Sequence, residues 1–228
     1  MRARAPQDRP ASGGERSAQR LRRIEPGEGG GVLTRLAIIR HARTQWNDLG
    51  RIQGQDDSPL TPDGVLAARE WANSLAGYGF QALYASPLGR AMHTARLLGQ
   101  AMGLHPVAEP GLKEQAFGEW TGRLVSELRG TGQLGPQEAL GWAFSPPGGE
   151  DRRSVLTRAW NSLTAMAARH PGQSVLVVTH EGVIRAVLYA LMGRDYLPLE
   201  PKILAPRALH MLRAEGDCLV IENWNVAL

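Results

Sequence analysis

The chain has one cysteine, Cys218, among 228 residues. No intrachain disulfide can form, and one thiolate cannot build a metal cage. That economy fits a reducing compartment, and a cytoplasmic location is the expectation. No apolar run approaches the roughly 20 residues that span a bilayer, so no membrane association is expected. The N-terminal arginines are not followed by an apolar stretch, which argues against a secretory signal. Charge is also scarce once it is located. The net charge of +4 hints at an anionic partner, but residues 1–35 hold eight arginines against four acids, the whole of the excess. The rest of the chain is neutral overall. A broad nucleic-acid face is therefore not expected, while a local pocket of arginines remains open.

What is present is the balance of a soluble globular domain, with 43% hydrophobic and 21% charged residues and enough length for one sizeable core. Residues 1–31 are rich in Arg, Gly, Pro, Ala and Ser and read as a disordered tail. One domain is expected over residues 32–228. Three short apolar runs share a pattern. Leu36 to Ile39 ends at Arg40-His41; Ala82 to Ala85 ends at Ser86-Pro87-Leu88-Gly89-Arg90 and leads into a helical stretch from Ala91 to Met102. Val175 to Thr179 ends at His180 and leads into a helical stretch from Val183 to Met192. Runs of this kind suit strands buried on both faces. Thr61-Pro62 signals a helix start reaching Ala76, and Ser154 is read as the N-cap of a helix running to Arg169. Leu209–Leu212 and Leu219–Ile221 read as a late hairpin at a sheet edge. The alternation predicts an α/β three-layer sandwich with a mostly parallel central sheet flanked by helices.

In such sheets ligands bind beyond the carboxyl ends of the strands. Here Arg40 with His41, Arg90 and His180 all fall at that end, two of them feeding helix N-termini that favour anions. The convergence describes a pocket for a small dianion, and phosphate is the obvious candidate. Arginine's planar fork suits phosphate oxygens. A metal is the rival use of two strand-end histidines. No Asp follows the first or third strand closely, Arg40 and Arg90 would repel a cation, and His180-Glu181-Gly182-Val183-Ile184 is not the zinc H-E-x-x-H pattern. No metal and no cofactor are expected.

Ile39-Arg40-His41-Ala42-Arg43-Thr44-Gln45-Trp46-Asn47 resembles the R-H-G-[EQ]-T-x-W-N signature of the histidine phosphatase (phosphoglycerate mutase-like) superfamily. Further blocks follow in family order: Arg51-Ile52-Gln53-Gly54 with Asp57, Pro59-Leu60-Thr61 and Gly64; Ser86 to Ala95; Leu112 to Gly122; Gly148-Gly149-Glu150; and Val177 to Arg185. The resemblance covers about residues 36–225. It implies a phosphatase of small phosphorylated metabolites with a phosphohistidine intermediate. His41 would attack phosphorus. Arg40, Arg90 and His180 would hold the equatorial oxygens, and Asn47, Gln53 and Gly54 would line the phosphate pocket. Glu114 would give a proton to the leaving oxygen and then take one from water. Residues 121–150, with Trp142 and Phe144, would form a lid that selects the leaving group.

Two residues depart from the family pattern. Ala42 replaces the glycine after the nucleophile, and Glu181 stands where a small residue is common. The first adds a methyl near phosphate, tolerable if φ is negative. The second puts a carboxylate beside an anion pocket, tolerable if it turns outward or meets a cationic part of the substrate. A cofactor-dependent phosphoglycerate mutase is the first alternative, although Phe117-Gly118-Glu119-Trp120 stands where mutases carry an E-R-x-Y-G block. A non-catalytic phospholigand-binding protein is the second. A phosphohistidine-protein phosphatase is a third, although such relatives tend to lack the segment 121–150. The oligomeric state is open, with a homodimer among the options.

Overall fold

The computed structural model describes residues 33–228, and the expected tail at residues 1–31 lies outside them. The chain order is β1 (Thr34–Arg40), α1 (Gln45–Asp48), α2 (Pro62–Ala76), β2 (Ala82–Ala85), α3 (Gly89–Met102), β3 (Val107–Ala108), α4 (Val125–Gly130), α5 (Leu134–Glu138), α6 (Arg152–Arg169), β4 (Ser174–Thr179), α7 (Glu181–Leu191), β5 (Ala208–Glu215) and β6 (Cys218–Ala227). One six-stranded sheet runs β3-β2-β4-β1-β5-β6. The first four strands are mutually parallel, and β5 and β6 add an antiparallel hairpin at one edge. This is the expected α/β sandwich.

The pleat explains the three layers. Alternate residues of a strand face opposite sides. Leu36 and Ile38 of β1, with Val175 and Val177 of β4, pack under α6 and α7. Ala37 and Ile39, with Leu176 and Val178, pack under α2 and α3. Both faces are covered, so these strands read as unbroken apolar runs rather than alternating ones. The chain leaves β1 toward the α2/α3 face and leaves β4 toward the α6/α7 face. β1 and β4 are neighbours, so their carboxyl ends flank a switch point, where a crevice opens. The His41 N–H donates to Thr179 O at 2.9 Å and ties the two strand ends together.

Helix starts follow their caps, with one correction. Thr61 caps α2 by accepting from the Gly64 N–H at 3.0 Å. The N-cap of α6 is Asp151, not Ser154: its carboxylate accepts from the Ser154 N–H and Oγ, both at 2.9 Å. Ser154 is thus the partner of the cap, because a carboxylate three residues earlier takes the free N–H. Helices α3 and α7 both begin two residues before the expected starts, at Gly89 and Glu181. The segment 121–150 is built of short helices over its own small core of Trp120, Leu128, Leu134 and Phe144, with Ile52 and Phe117 against it. Trp142 leaves that core and donates from its indole to Arg194 O at 2.7 Å. No helix among the described residues is long and apolar enough to cross a membrane.

Candidate active site

The crevice collects the strand-end residues. His41 is buried and its ring lies 5.2 Å, centroid to centroid, from that of His180, which is also buried. His41 Nδ1 lies 2.8 Å from Ala42 O. A carbonyl only accepts, so Nδ1 carries the proton and Nε2 carries the lone pair. Arg90 Nε donates to that Nε2 at 3.2 Å, which is compatible only with an unprotonated nitrogen. Burial, then the charges of Arg40 and Arg90, hold the His41 pKa well below the usual histidine range. The ring is therefore neutral at physiological pH with its lone pair facing the crevice.

His180 is the N-cap of α7, and its Nε2 lies 2.8 Å from Ser86 Oγ. Ser86 Oγ already accepts from the Leu88 N–H at 3.3 Å, so its own proton is free to be donated to His180 Nε2. With the hydroxyl donating, the ring proton lies on Nδ1, a buried atom with no partner among the described residues. The His180 pKa is also held well below the usual value, by burial first and by His41 and the arginines after it. A neutral ring thus offers one N–H. Gln53 Oε1 is a second buried polar atom left without a partner.

Arg90 is 2% exposed and is held from several segments. Nη1 donates to Asp56 O at 2.7 Å and Asp57 Oδ1 at 3.1 Å, and Nη2 donates to Gly54 O at 2.8 Å. Gly54 therefore meets the site through a carbonyl that anchors the arginine. Leu88, the N-cap of α3, has no capping oxygen, and Asp57 supplies one from another loop. Its carboxylate accepts from the Gly89 and Arg90 N–H groups at 2.5 and 3.2 Å. Asn47 spends Oδ1 on Thr44, accepting from its N–H at 3.1 Å in the capping box of α1.

Glu114 rests against the N-terminus of α7. One carboxylate oxygen accepts from the Gln115 N–H at 2.9 Å, the other from the Gly182 N–H at 3.2 Å. A Cβ at position 182 would run into this carboxyl, so glycine lets Glu114 keep its place there. Burial raises the Glu114 pKa, against the opposing pull of those two N–H groups and the arginines. Arg158 braces the loop from below. It grips Glu150 with two bonds, at 2.8 and 2.9 Å, and donates to Lys113 O at 2.6 Å and Glu114 O at 3.1 Å.

Arg40 differs from the rest. Its side chain is 43% exposed and pairs with Glu181, Nη1 to Oε2, at 2.5 Å. Glu181 thus neither turns outward nor waits for a cation from outside, because it has taken Arg40. Ala42 is fully buried among the residues packed under α2 and α3, and its N–H donates to Thr94 Oγ1 at 3.0 Å. Its methyl faces the core, and its φ is not positive. A cleft of about 550 Å³ reaches His41 from the side of Arg40 and Asn47, with Trp71, Glu181, Ile184, Pro206 and Arg207 among its walls. Arg90, His180 and Glu114 are not among them.

Asp57, Ser86, Thr94 and Arg158 support the site, and sequence pattern alone assigns them no role. Ser86 and Asp57 stand inside the matched blocks, but what they touch is set only by tertiary contact. Among the described residues, no three His, Cys, Asp or Glu side chains gather as a metal-binding set.

A neutral imidazole, a cluster of arginines and a sheltered carboxyl thus meet around one crevice. The family model described as the histidine phosphatase superfamily, branch 1, matches residues 36–227, and the chain belongs to that superfamily. Phosphoserine phosphatase 1 of Hydrogenobacter thermophilus is 33% identical over 168 residues, which cover 72% of this chain and 78% of that protein. A protein named probable phosphoglycerate mutase from Cronobacter sakazakii is 31% identical over 170 residues, covering 71% and 76%. Among solved structures, the mycobacterial glucosyl-3-phosphoglycerate phosphatase in complex with VO3 superposes with a TM-score of 0.74 at 26% identity, covering 85% of this chain and 99% of that one. Within the superfamily, this chain is a histidine phosphatase that hydrolyses small phosphomonoesters.

Proposed function

We propose that hydrolysis proceeds through a phosphohistidine on His41, with Glu114 as the proton carrier. The observation that carries this reading is the fixed tautomer of His41, with Nδ1–H on Ala42 O and a bare Nε2 in the crevice. In the first step the Nε2 lone pair forms the N–P bond while the P–O bond to the leaving group breaks. Glu114 hands its proton to the departing oxygen, and the imidazolium charge that develops is met by Ala42 O. Arg90 exchanges its bond to Nε2 for phosphoryl oxygens. His180 Nδ1–H donates to another, and Arg40 reaches a third after leaving Glu181. Gln53 and Asn47 line the same pocket with their side-chain amides. In the second step water attacks phosphorus, Glu114 takes its proton, the N–P bond breaks and phosphate leaves. The phosphoryl group spreads negative charge over its oxygens, so preset cations and N–H donors supply most of the assistance. The segment 121–150 covers the leaving group in this scheme.

Rapid quenching during turnover should trap an acid-labile, base-stable phosphate on the peptide that contains His41, and His41→Ala should remove both the label and the activity. A label elsewhere, or near-normal turnover of His41→Ala, would overturn the reading. Glu114→Gln should lose about 10²–10⁴-fold on an alkyl phosphate and far less on p-nitrophenyl phosphate, whose phenolate leaves unaided. Isomer formation from phosphoglycerate without phosphate release would favour a mutase instead.

A further inference from the structure

Glu114 sits in a stretch of chain that belongs to no strand and no long helix. A single 3₁₀ turn, Pro110–Leu112, precedes it, and Lys113 leaves that turn at φ −57°, ψ 152°. The carbonyls of such a stretch need partners from elsewhere. Side chains supply them one after another. Gly111 O accepts from Arg158 Nη1 at 2.8 Å, Leu112 O from Thr179 Oγ1 at 2.7 Å, and Lys113 O from Arg158 Nη1 at 2.6 Å. Glu114 O accepts from Arg158 Nη2 at 3.1 Å and from Gln55 Nε2 at 3.2 Å. Of four successive carbonyls, Arg158 thus holds three.

Arg158 lies within α6, and the stretch before Glu114 rests directly on that helix. A Cβ at Gly111 would run into Ser162 and the Arg158 carbonyl, so glycine permits the approach. One turn along, Ser162 Oγ donates to Glu109 Oε1 at 3.0 Å. The rest of the guanidinium goes to Glu150, Nε to Oε1 at 2.8 Å and Nη2 to Oε2 at 2.9 Å. With one bond from Nε, two from Nη1 and two from Nη2, all five guanidinium donors are engaged, and none is left for a substrate. Glu150 carries the brace to the far side of Glu114. Its carbonyl accepts from Gln115 Nε2 at 2.5 Å, its N–H donates to Ala116 O at 2.8 Å, and Oε2 accepts from the Ala116 N–H at 3.4 Å. The pair grips the chain before and after Glu114 and leaves its carboxyl to the Gln115 and Gly182 N–H groups.

We propose that Arg158, paired with Glu150, is a positioning residue for proton transfer: it fixes the backbone from which the Glu114 carboxyl reaches the leaving oxygen. The inference rests on the assignment of Glu114 as proton carrier under the proposed function. Proton transfer needs its heavy atoms within about 2.6–3.2 Å, and a misplacement of about 1 Å can cost about 10²-fold in rate. The two N–H groups on the Glu114 carboxyl aim the head of the side chain. Arg158 sets where its root stands. A lysine could not take this place, because three donors on a point charge do not reach acceptors spread over a fork.

The test sets two leaving groups against each other: an alkyl phosphate that the wild type turns over, phosphoserine or glycerol 3-phosphate, and p-nitrophenyl phosphate. Arg158→Gln should lower kcat on the alkyl phosphate by about 10–100-fold, the range for losing an outer partner of a catalytic group, and on p-nitrophenyl phosphate by less than about threefold, with KM little changed on either. In a Glu114→Gln background the same change should add no further loss on the alkyl phosphate, because residues that act as a unit are not additive. Equal losses on both substrates, an additive loss in the double variant, or an unchanged kcat would overturn the role. Should Arg158→Gln fail to fold, Glu150→Gln, which keeps the shape and removes the charge, should show the same split between substrates in weaker form, and no split there overturns the role. If Glu114→Gln itself shows no split, the proton-carrier reading falls and the positioning role falls with it. A split for Glu114→Gln without one for Arg158→Gln removes the positioning role alone.

Discussion

The two sides of the phosphoryl pocket are built on different plans. His41, His180 and Arg90 are each no more than 5% exposed, and each is held in orientation by a group from elsewhere in the chain. Arg40 has a 43% exposed side chain, and its ion pair is with Glu181, itself 45% exposed. On the buried side, tautomer and direction are fixed by neighbours. On the open side a charge is held by a partner that a substrate can displace. Under the proposed mechanism the contrast makes rate and affinity separable: buried contacts would set the chemistry, and the exposed pair would set how strongly the anion must compete to enter.

That division can be broken by substitution. Asp57→Ala should do the most damage, since Asp57 both caps α3 and pairs with Arg90. A fall in kcat of about 10–100-fold is expected, the range typical of losing an outer partner of a catalytic group. The lost cap should cost about 1 kcal/mol of stability. Steady-state kinetics beside a thermal melt would show it, and an unchanged kcat would mean that Arg90 needs no anchor.

Acid comes next. Burial lowers the pKa of His41 and His180 well below 6.5, and that of His210 to about 4. Unfolded histidines bind protons from about pH 6.5 downward, while these stay neutral in the fold until lower pH. Their folded pKa values are depressed, so stability is complete above about pH 6.5 and is lost as pH falls through that value toward the folded ones. Melting temperature should decline steadily from pH 7 to about 5, and less steeply for His41→Ala. A flat profile would show charged rings in the fold and undo the neutral nucleophile.

Glu181→Gln probes the open side. Freeing Arg40 should tighten inhibition by vanadate or phosphate by about two- to fivefold, the worth of an exposed ion pair, with little change in melting temperature. Weaker inhibition would mean that Glu181 positions Arg40 for the phosphoryl group instead of competing with it. The smallest effect on rate belongs to Ala42→Gly. Its methyl packs into the core, so kcat should not rise, and the melting temperature should drop by about 2–4 °C for the roughly 1 kcal/mol lost. A faster enzyme would place that methyl in the pocket after all.

What could be read in the sequence follows from the range of the forces involved. β1, β2 and β4 are short apolar runs because both their faces are covered, and α2 announces itself through Thr61-Pro62, so local pattern was enough. α4, α5 and the two-residue β3 have no such pattern: α4 and α5 exist because Trp120, Leu128, Leu134 and Phe144 find one another across the segment, and β3 because Val107 and Ala108 pair with Tyr84 and Ala85 of β2. The start of α6 falls at Asp151 rather than Ser154; both residue types suit a cap, and only the backbone tells which side of the bond each takes. Arg40, His41, Arg90, Glu114 and His180 could be named from position and motif. Their supports could not, since Asp57 on Arg90 and Ser86 on His180 are contacts between distant residues.

Arg90 shows what that distance entails. Its guanidinium is satisfied only when the end of β1, the 54–57 loop and α3 have all arrived, and its bond to His41 spans 49 residues. The bond between His180 and Ser86 spans 94. A centre built on contacts of such sequence separation is expected to form late in folding, because each must first meet the cost of closing a long loop. Regain of turnover during refolding should follow the slowest tertiary signal rather than the return of helix. An anion that binds this centre should raise the folding equilibrium constant by the factor 1 + [L]/Kd, so that phosphate in the buffer acts as a folding ligand.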